Sequence, residues 1–193
     1  MSEPEAAPGR RVAEPASPPI RSTTEVEVRY AETDQMGVVH HANYVVWFEL
    51  ARTHLCALSG YRYADIEKLG YLLMVTGVQV SYRRPARYGE TVAVTCWGER
   101  LLSRGVRFAY EVRHRGELLA TGTTDHVWIE AATGRPCRTP EPVRDPFRRM
   151  AGLAPAFQMT RPDLAESLRD GTRAGSATSH LTLELVAIYH QMA

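Results

Sequence analysis

The stretch Tyr30-Ala31-Glu32-Thr33-Asp34-Gln35-Met36-Gly37-Val38-Val39-His40-His41-Ala42-Asn43-Tyr44 decides how this chain is read. It opens as the last residue of an alternating run and closes as the first turn of a strongly apolar helix. Between the two stand an acid, Asp34, a glycine, Gly37, and a histidine pair, His40 and His41. A strand that delivers a carboxylate to a loop, and a loop that opens onto a helix N-terminus, supply the minimum for acyl-transfer chemistry. The acid serves as base or nucleophile, and unpaired backbone N–H groups hold a developing oxyanion.

Working outward, Val26, Val28 and Tyr30 alternate with Glu25, Glu27 and Arg29, which predicts a half-buried strand from Thr24. On the other side a helix is predicted over residues 43–59, with Asn43 as candidate N-cap and Gly60 as its stop. Tyr44, Trp47, Phe48, Ala51, Leu55 and Leu58 recur at helical spacing. Val45, Val46 and Leu50 widen that stripe, so the helix is expected to be wrapped by other elements. Glu49 and Arg52 are spaced to pair on its polar seam.

After a short segment around residues 64–68, strand-like runs follow at 71–83, 91–102, 106–113 and 118–130. The connections near Ser103-Arg104-Gly105 and His114-Arg115-Gly116 read as hairpin turns, and strands joined that way are antiparallel. The expected class is α+β: one strand, one long buried helix, then an antiparallel meander, giving a five-stranded sheet wrapped around that helix.

Residues 1–23, rich in Pro, Ala, Glu and Ser, are expected to form a disordered tail. Residues 24–140 are read as the domain. Pro140, Pro142 and Pro146 mark the exit into a C-terminal extension, 141–193, of unknown structure, in which 180–192 fits a helix or a strand alike. At 193 residues, 44% apolar and 23% charged, the chain has material for one domain and its core. The net charge of +1 argues against wholesale attraction to nucleic acid or membrane. No apolar run approaches the roughly 20 residues of a membrane span, and no apolar leader opens the chain. Three cysteines, Cys56, Cys96 and Cys137, without C-x-x-C spacing, point to reduced thiols and a cytoplasmic setting.

The same stretch resembles the hotdog-fold acyl-CoA thioesterases of the 4-hydroxybenzoyl-CoA thioesterase type. The likeness is carried by Thr33-Asp34, Gly37-Val38-Val39, His41 and Tyr44, with Tyr30 four residues before the acid. Tyr82-Arg83-Arg84-Pro85-Ala86 and the Glu49-x-x-Arg52 seam resemble further parts of that family. Two departures are Glu27, where Gln or Arg is common, and Gly89-Glu90, where an Asp often follows the strand. The resemblance spans roughly 24–140. It implies a hotdog fold and a homodimer or homotetramer with active sites at the subunit interface. It also implies hydrolysis of acyl-CoA without metal or redox cofactor, coenzyme A being part of the substrate.

On that resemblance Asp34 is the catalytic acid, as general base or nucleophile. The oxyanion donor is expected to be backbone N–H at the helix entry, that of His41 and with it Ala42. The His41 side chain either orients the acid or the water or shares proton transfer, or serves as a structural hydrogen-bonder. Tyr30 either joins the core or gives its phenol to Asp34. Gly37 and Val38 are expected beside the acyl group. Arg83, Arg84 and Arg87 are candidates for the phosphates of coenzyme A, though a solvated strand face explains arginines equally well. His40, Cys96 and His126 are read as structural, and adjacent His40 and His41 make a poor metal pair. Two other readings stay open here. One is a non-catalytic acyl-CoA-binding or sensor module on the same fold; the other is a thioesterase for carrier-protein-bound acyl chains.

Overall fold

The computed structural model describes residues 17–154. Five long strands carry the fold: β1 (Arg21–Glu27), β2 (Tyr71–Tyr82), β3 (Thr91–Leu102), β4 (Gly105–His114) and β5 (Glu117–Glu130). They form one antiparallel sheet in the order β1-β3-β4-β5-β2, with a two-residue strand, β6 (Arg135–Pro136), added on β5. Helix α1 (Asn43–Leu58) lies against the sheet, and a short helix, α2 (Tyr63–Lys68), leads into β2.

Only β3, β4 and β5 make the meander that the hairpin turns announce. The β4–β5 turn has Arg115 at φ 48° and Gly116 at φ 83°, the left-handed pair that a tight hairpin with right-twisted strands requires. Strand β2 does not pair with β3, its neighbour in sequence. It pairs with β5, from Tyr71 opposite Glu130 to Tyr82 opposite Ala120, and so forms an edge among the described residues. The connection from β2 to β3 carries Pro85 and passes the entry of α1, where the Ala86 N–H donates to the Tyr44 hydroxyl and the Ala86 carbonyl accepts from Val39 N–H.

One face of α1 supplies the core. Tyr44, Trp47, Phe48, Ala51 and Leu55 pack with Val92, Val94, Phe108, Tyr110, Val112 and Ala120. Phe48 stacks on Tyr110 with centroids 4.2 Å apart and 10° between planes. Within this chain the helix is not apolar-wrapped on all sides: Val46, Leu50 and Leu58 are exposed, because the sheet covers only the face that starts at Tyr44. Nor does Arg52 pair with Glu49. It turns inward, and its Nη1 lies 2.9 Å from His126 Nε2.

Both ends of the fold run past the limits read from sequence. Strand β1 begins at Arg21, with Ser22 buried and its hydroxyl 3.2 Å from His54 Nδ1. Ahead of it, Ile20 N–H donates to the Met150 carbonyl and Ser17 N–H to the Gly152 carbonyl. Met150 ends α3 (Glu141–Met150) and Gly152 follows it; Val143, Phe147 and Met150 of this helix are fully buried in the same core. The domain therefore includes 17–23 and continues beyond 140. The three prolines belong to the start and body of this helix and mark no exit: Pro140 is its N-cap, Pro142 sits in its first turn, where a missing N–H costs nothing, and Pro146 lies inside it. The ambiguous run at 180–192 and residues 1–16 lie outside the described residues.

Candidate active site

At the end of β1 the chain leaves the sheet in a 3-10 turn, Tyr30–Glu32, and enters a small closed loop. Thr33 bridges Val39, Asp34 N–H donates to the Val38 carbonyl at 2.9 Å, and Gly37 N–H returns to the Asp34 carbonyl at 2.9 Å. Gly37 takes φ 70°, which closes this tight turn and which a side chain would resist. The loop then joins α1 through His40, whose N–H donates to the Glu32 carbonyl and whose carbonyl accepts from Asn43 N–H. Asn43 is the first helical residue rather than the N-cap. Its side-chain amide donates to the Glu32 carbonyl at 2.8 Å.

Asp34 is half-buried. Its Oδ1 accepts the Met36 N–H at 2.8 Å, and Oδ2 has no donor among the described residues. One oxygen thus does the work of a turn acid while the other stays open. A pocket of about 310 Å³ is bordered by Asp34, Val38 and His41 from the loop, Tyr44 from α1, and residues 82–85 from the end of β2. Burial holds the Tyr44 phenol above its ordinary value. Tyr82 donates its hydroxyl proton to the His41 carbonyl at 2.9 Å and meets Tyr44 edge-on at 5.2 Å.

The two expected backbone donors differ. Ala42 N–H points at His40 Nδ1, 3.3 Å away, whereas His41 N–H has no acceptor among the described residues. His40 is exposed and packs its ring 4.1 Å from that of His41. Its contact to Ala42 N–H gives it a local structural role. No group of three metal-ligating side chains occurs among the described residues.

The basic residues separate as well. Arg83 and Arg84 border the pocket, with Arg84 paired to Glu117 at 2.9 Å. Arg87 stands aside and donates to the Gly37 carbonyl at 3.4 Å. Tyr30 is the clearest correction. It is 77% exposed, neither in the core nor bonded to Asp34, because the chain turns at Tyr30 and sends its ring edge-on against Tyr88 at 5.6 Å.

Sequence reasoning passed over Glu32. Its carboxylate is buried and accepts N–H groups from Arg29 and Trp47. Burial would raise its pKa, but the hydrogen bonds from the Arg29 side chain and backbone and from Trp47 outweigh that and hold it below the ordinary value. The only signal was an acid three residues after an arginine, which is too common a spacing to stand out.

A larger recess of about 420 Å³, bordered by Thr76, Arg104 and Asp125, offers no comparable chemistry. Its acid is already held by a bidentate pair with Arg107, at 2.7 and 2.8 Å.

The family model described as the thioesterase-like superfamily matches residues 28–147. The chain belongs to that superfamily. Its fold is the hotdog fold, and it is a thioesterase. A Bacillus subtilis relative, named "Putative acyl-CoA thioesterase YneP", is 42% identical over 116 residues, which is 60% of this chain and 84% of that protein. The crystal structure of a hypothetical protein of Thermus thermophilus is 41% identical with a TM-score of 0.63, covering 69% of this chain and 99% of its own. That of a DHNA-CoA thioesterase from Staphylococcus aureus is 35% identical with a TM-score of 0.60, covering 79% and 91%.

Proposed function

We propose that this thioesterase hydrolyses acyl-CoA to a free acid and coenzyme A at the pocket between the Asp34 loop and the end of β2. The observation that carries the reading is the placement of an acid with one open oxygen and an unclaimed backbone N–H, at His41, on the border of one pocket. The names of the Bacillus and Staphylococcus relatives support a coenzyme A thioester as substrate.

A thioester carbonyl is electrophilic enough that positioning and charge stabilisation carry most of the catalysis. In the first route Asp34 Oδ2 takes a proton from water as the water oxygen bonds to the carbonyl carbon. The His41 N–H holds the resulting oxyanion. Collapse breaks the C–S bond, and the departing thiolate takes the proton that Asp34 had accepted, which restores the base. In the second route Asp34 attacks directly, coenzyme A leaves as thiolate, and water hydrolyses the mixed anhydride. Arg83 and Arg84 at the rim supply charge for the phosphates. Tyr30 and Ala42 take no step in either route.

The working unit in this reading is a homodimer. Among the described residues strand β2 is an edge of 12 residues, and Leu72, Met74, Val75 and Val78 on it are exposed, as are Val46 and Leu50 on α1. An unpaired apolar edge of that length is a template for a second copy, which would bring its own residues to the open side of the pocket.

The test is thiol release from a panel of aliphatic and aromatic acyl-CoAs. Release from at least one member supports the reading, and the ranking names the acyl class. Acyl-CoA that is bound but left intact would replace it with a sensor function. Release only from an acylated carrier protein would move the substrate to that class.

A further inference from the structure

One buried carboxylate next to the site takes no part in the chemistry just described. Glu32 is 3% exposed. Its Oε2 accepts the Arg29 backbone N–H at 2.9 Å, and Oε1 accepts Arg29 Nη2 at 2.9 Å and the Trp47 indole N–H at 3.2 Å. Its carbonyl accepts two more donors, His40 N–H and the Asn43 amide, each at 2.8 Å. The Arg29 side chain is largely exposed, and an ion pair with such a partner adds little stability. Burying a carboxylate for that pair alone would be a poor exchange.

The location of the contacts gives them a different purpose. Asp34 follows Glu32 by two residues. His41, with the unclaimed N–H, follows His40 by one. Asn43 and Trp47 both belong to the start of α1. Glu32 is therefore the point where the two strands of the loop neck and the helix entry meet.

We propose that Glu32 is a positioning residue for thioester hydrolysis, its carboxylate locking the neck of the Asp34 loop to α1 and thereby setting Asp34 against the His41 N–H. The inference rests on the roles given to Asp34 and His41 above. Both oxygens of Glu32 face N–H donors, which is what makes the carboxylate irreplaceable. A glutamine has the same shape but accepts through one oxygen only, so its NH2 must face either the Arg29 N–H or the Trp47 and Arg29 side-chain donors. The neck then has to shift to separate donor from donor. A shift there alters the alignment of acid and oxyanion donor but leaves the arginines at the rim untouched, so it costs rate rather than substrate affinity.

The experiment is steady-state kinetics of the full chain, wild type beside Glu32→Gln, on the acyl-CoA that wild type hydrolyses best, with folding checked by thermal unfolding. The expected result is a kcat lower by about 10- to 100-fold, with KM changed less than about threefold and a pH–rate profile of unchanged shape. Trp47→Phe, which removes the indole donor that reaches the carboxylate from α1 along with some core volume, is expected to lower kcat in the same direction. It serves as the test should Glu32→Gln not fold. A folded Glu32→Gln with wild-type kcat and merely a lower melting temperature would overturn the proposal, as would wild-type kcat in Trp47→Phe. Loss of one limb of the pH profile would also overturn it, by making Glu32 an acid–base group. Turnover by wild type in the same assay keeps the hydrolysis reading in place while the role of Glu32 is decided; no turnover by wild type removes both.

Discussion

The Tyr82 hydroxyl donates to the His41 carbonyl across 2.9 Å and so joins the end of the edge strand β2 to the helix entry. The peptide unit that precedes α1 is thus tied from its carbonyl side by a residue of a different element. Tyr82→Phe removes that tie at a half-exposed position where water can replace the donor. Stability should change by no more than about 0.5 kcal/mol. The expected effect is on rate: kcat lower by about 3- to 10-fold, a fraction of what an ångström of misplacement can cost. Steady-state kinetics with a parallel urea titration checks both halves.

Arg83 borders the pocket, and its side chain has no partner among the described residues, unlike Arg84 and Arg87. It is the cation best placed for a phosphate. Arg83→Ala should raise KM for acyl-CoA by about 3- to 10-fold at low salt and leave kcat alone, because the interaction is equal in ground and transition states. The penalty should shrink as ionic strength rises. Initial rates at two salt concentrations measure it.

Gly122 of β5 lies under Phe48. A Cβ at that position would stand 2.4 Å from Phe48 Cε2 and 2.8 Å from the Gln79 carbonyl oxygen. The Gln79 carbonyl is main chain of the paired strand β2 and cannot move aside, and Phe48 is held by its stack on Tyr110. Gly122→Ala should therefore destabilise the fold by at least about 1–3 kcal/mol, read as a lower urea midpoint at unchanged slope.

His126 is buried, and its Nε2 lies 2.9 Å from Arg52 Nη1, a group that can only donate. The ring is therefore neutral. Burial first, and then the Arg52 cation, push its pKa from 6.5 down to about 3. Between those values the unfolded chain binds a proton that the folded chain refuses. Stability is complete above about pH 6.5 and falls as the pH drops toward the folded value, by at most about 1.4 kcal/mol per unit. Glu32 and Asp125, both held below their ordinary values, contribute losses only at more acid pH. Urea midpoints from pH 6.5 to 5 isolate the histidine. His126→Gln should flatten the curve over that interval; an equally steep curve would contradict the assignment.

Much of the fold could be read because its strands alternate cleanly. The β3 range matches the predicted one residue for residue, and β4 and β5 differ by a single residue at their ends. What escaped had no apolar signal or a misleading one. The start of β1, Arg21-Ser22-Thr23, buries a hydroxyl against His54 rather than a hydrocarbon. Helix α3 hides three core residues, Val143, Phe147 and Met150, among prolines and arginines. The edge position of β2 is fixed by pairing with β5, a long-range choice to which local pattern is blind. At the site, the loop, its acid and its helix entry were legible as residue types in order. Glu32 was not, because the role proposed for its carboxylate depends on Trp47, fifteen residues later. Tyr30 misleads because the alternation runs on beyond the end of β1 at Glu27 and into the turn that starts at Tyr30.

The measurement that bears most directly on the account is single-turnover hydrolysis of the preferred acyl-CoA by wild type and Asp34→Asn side by side. Asn keeps the shape of the side chain and its bond to the Met36 N–H while removing the base and nucleophile. The account predicts thiol release by wild type and a rate lower by at least about 10³-fold in folded Asp34→Asn, with acyl-CoA still bound. Thiol release at a comparable rate by the variant would contradict it, and the reaction would then have to be assigned to another group.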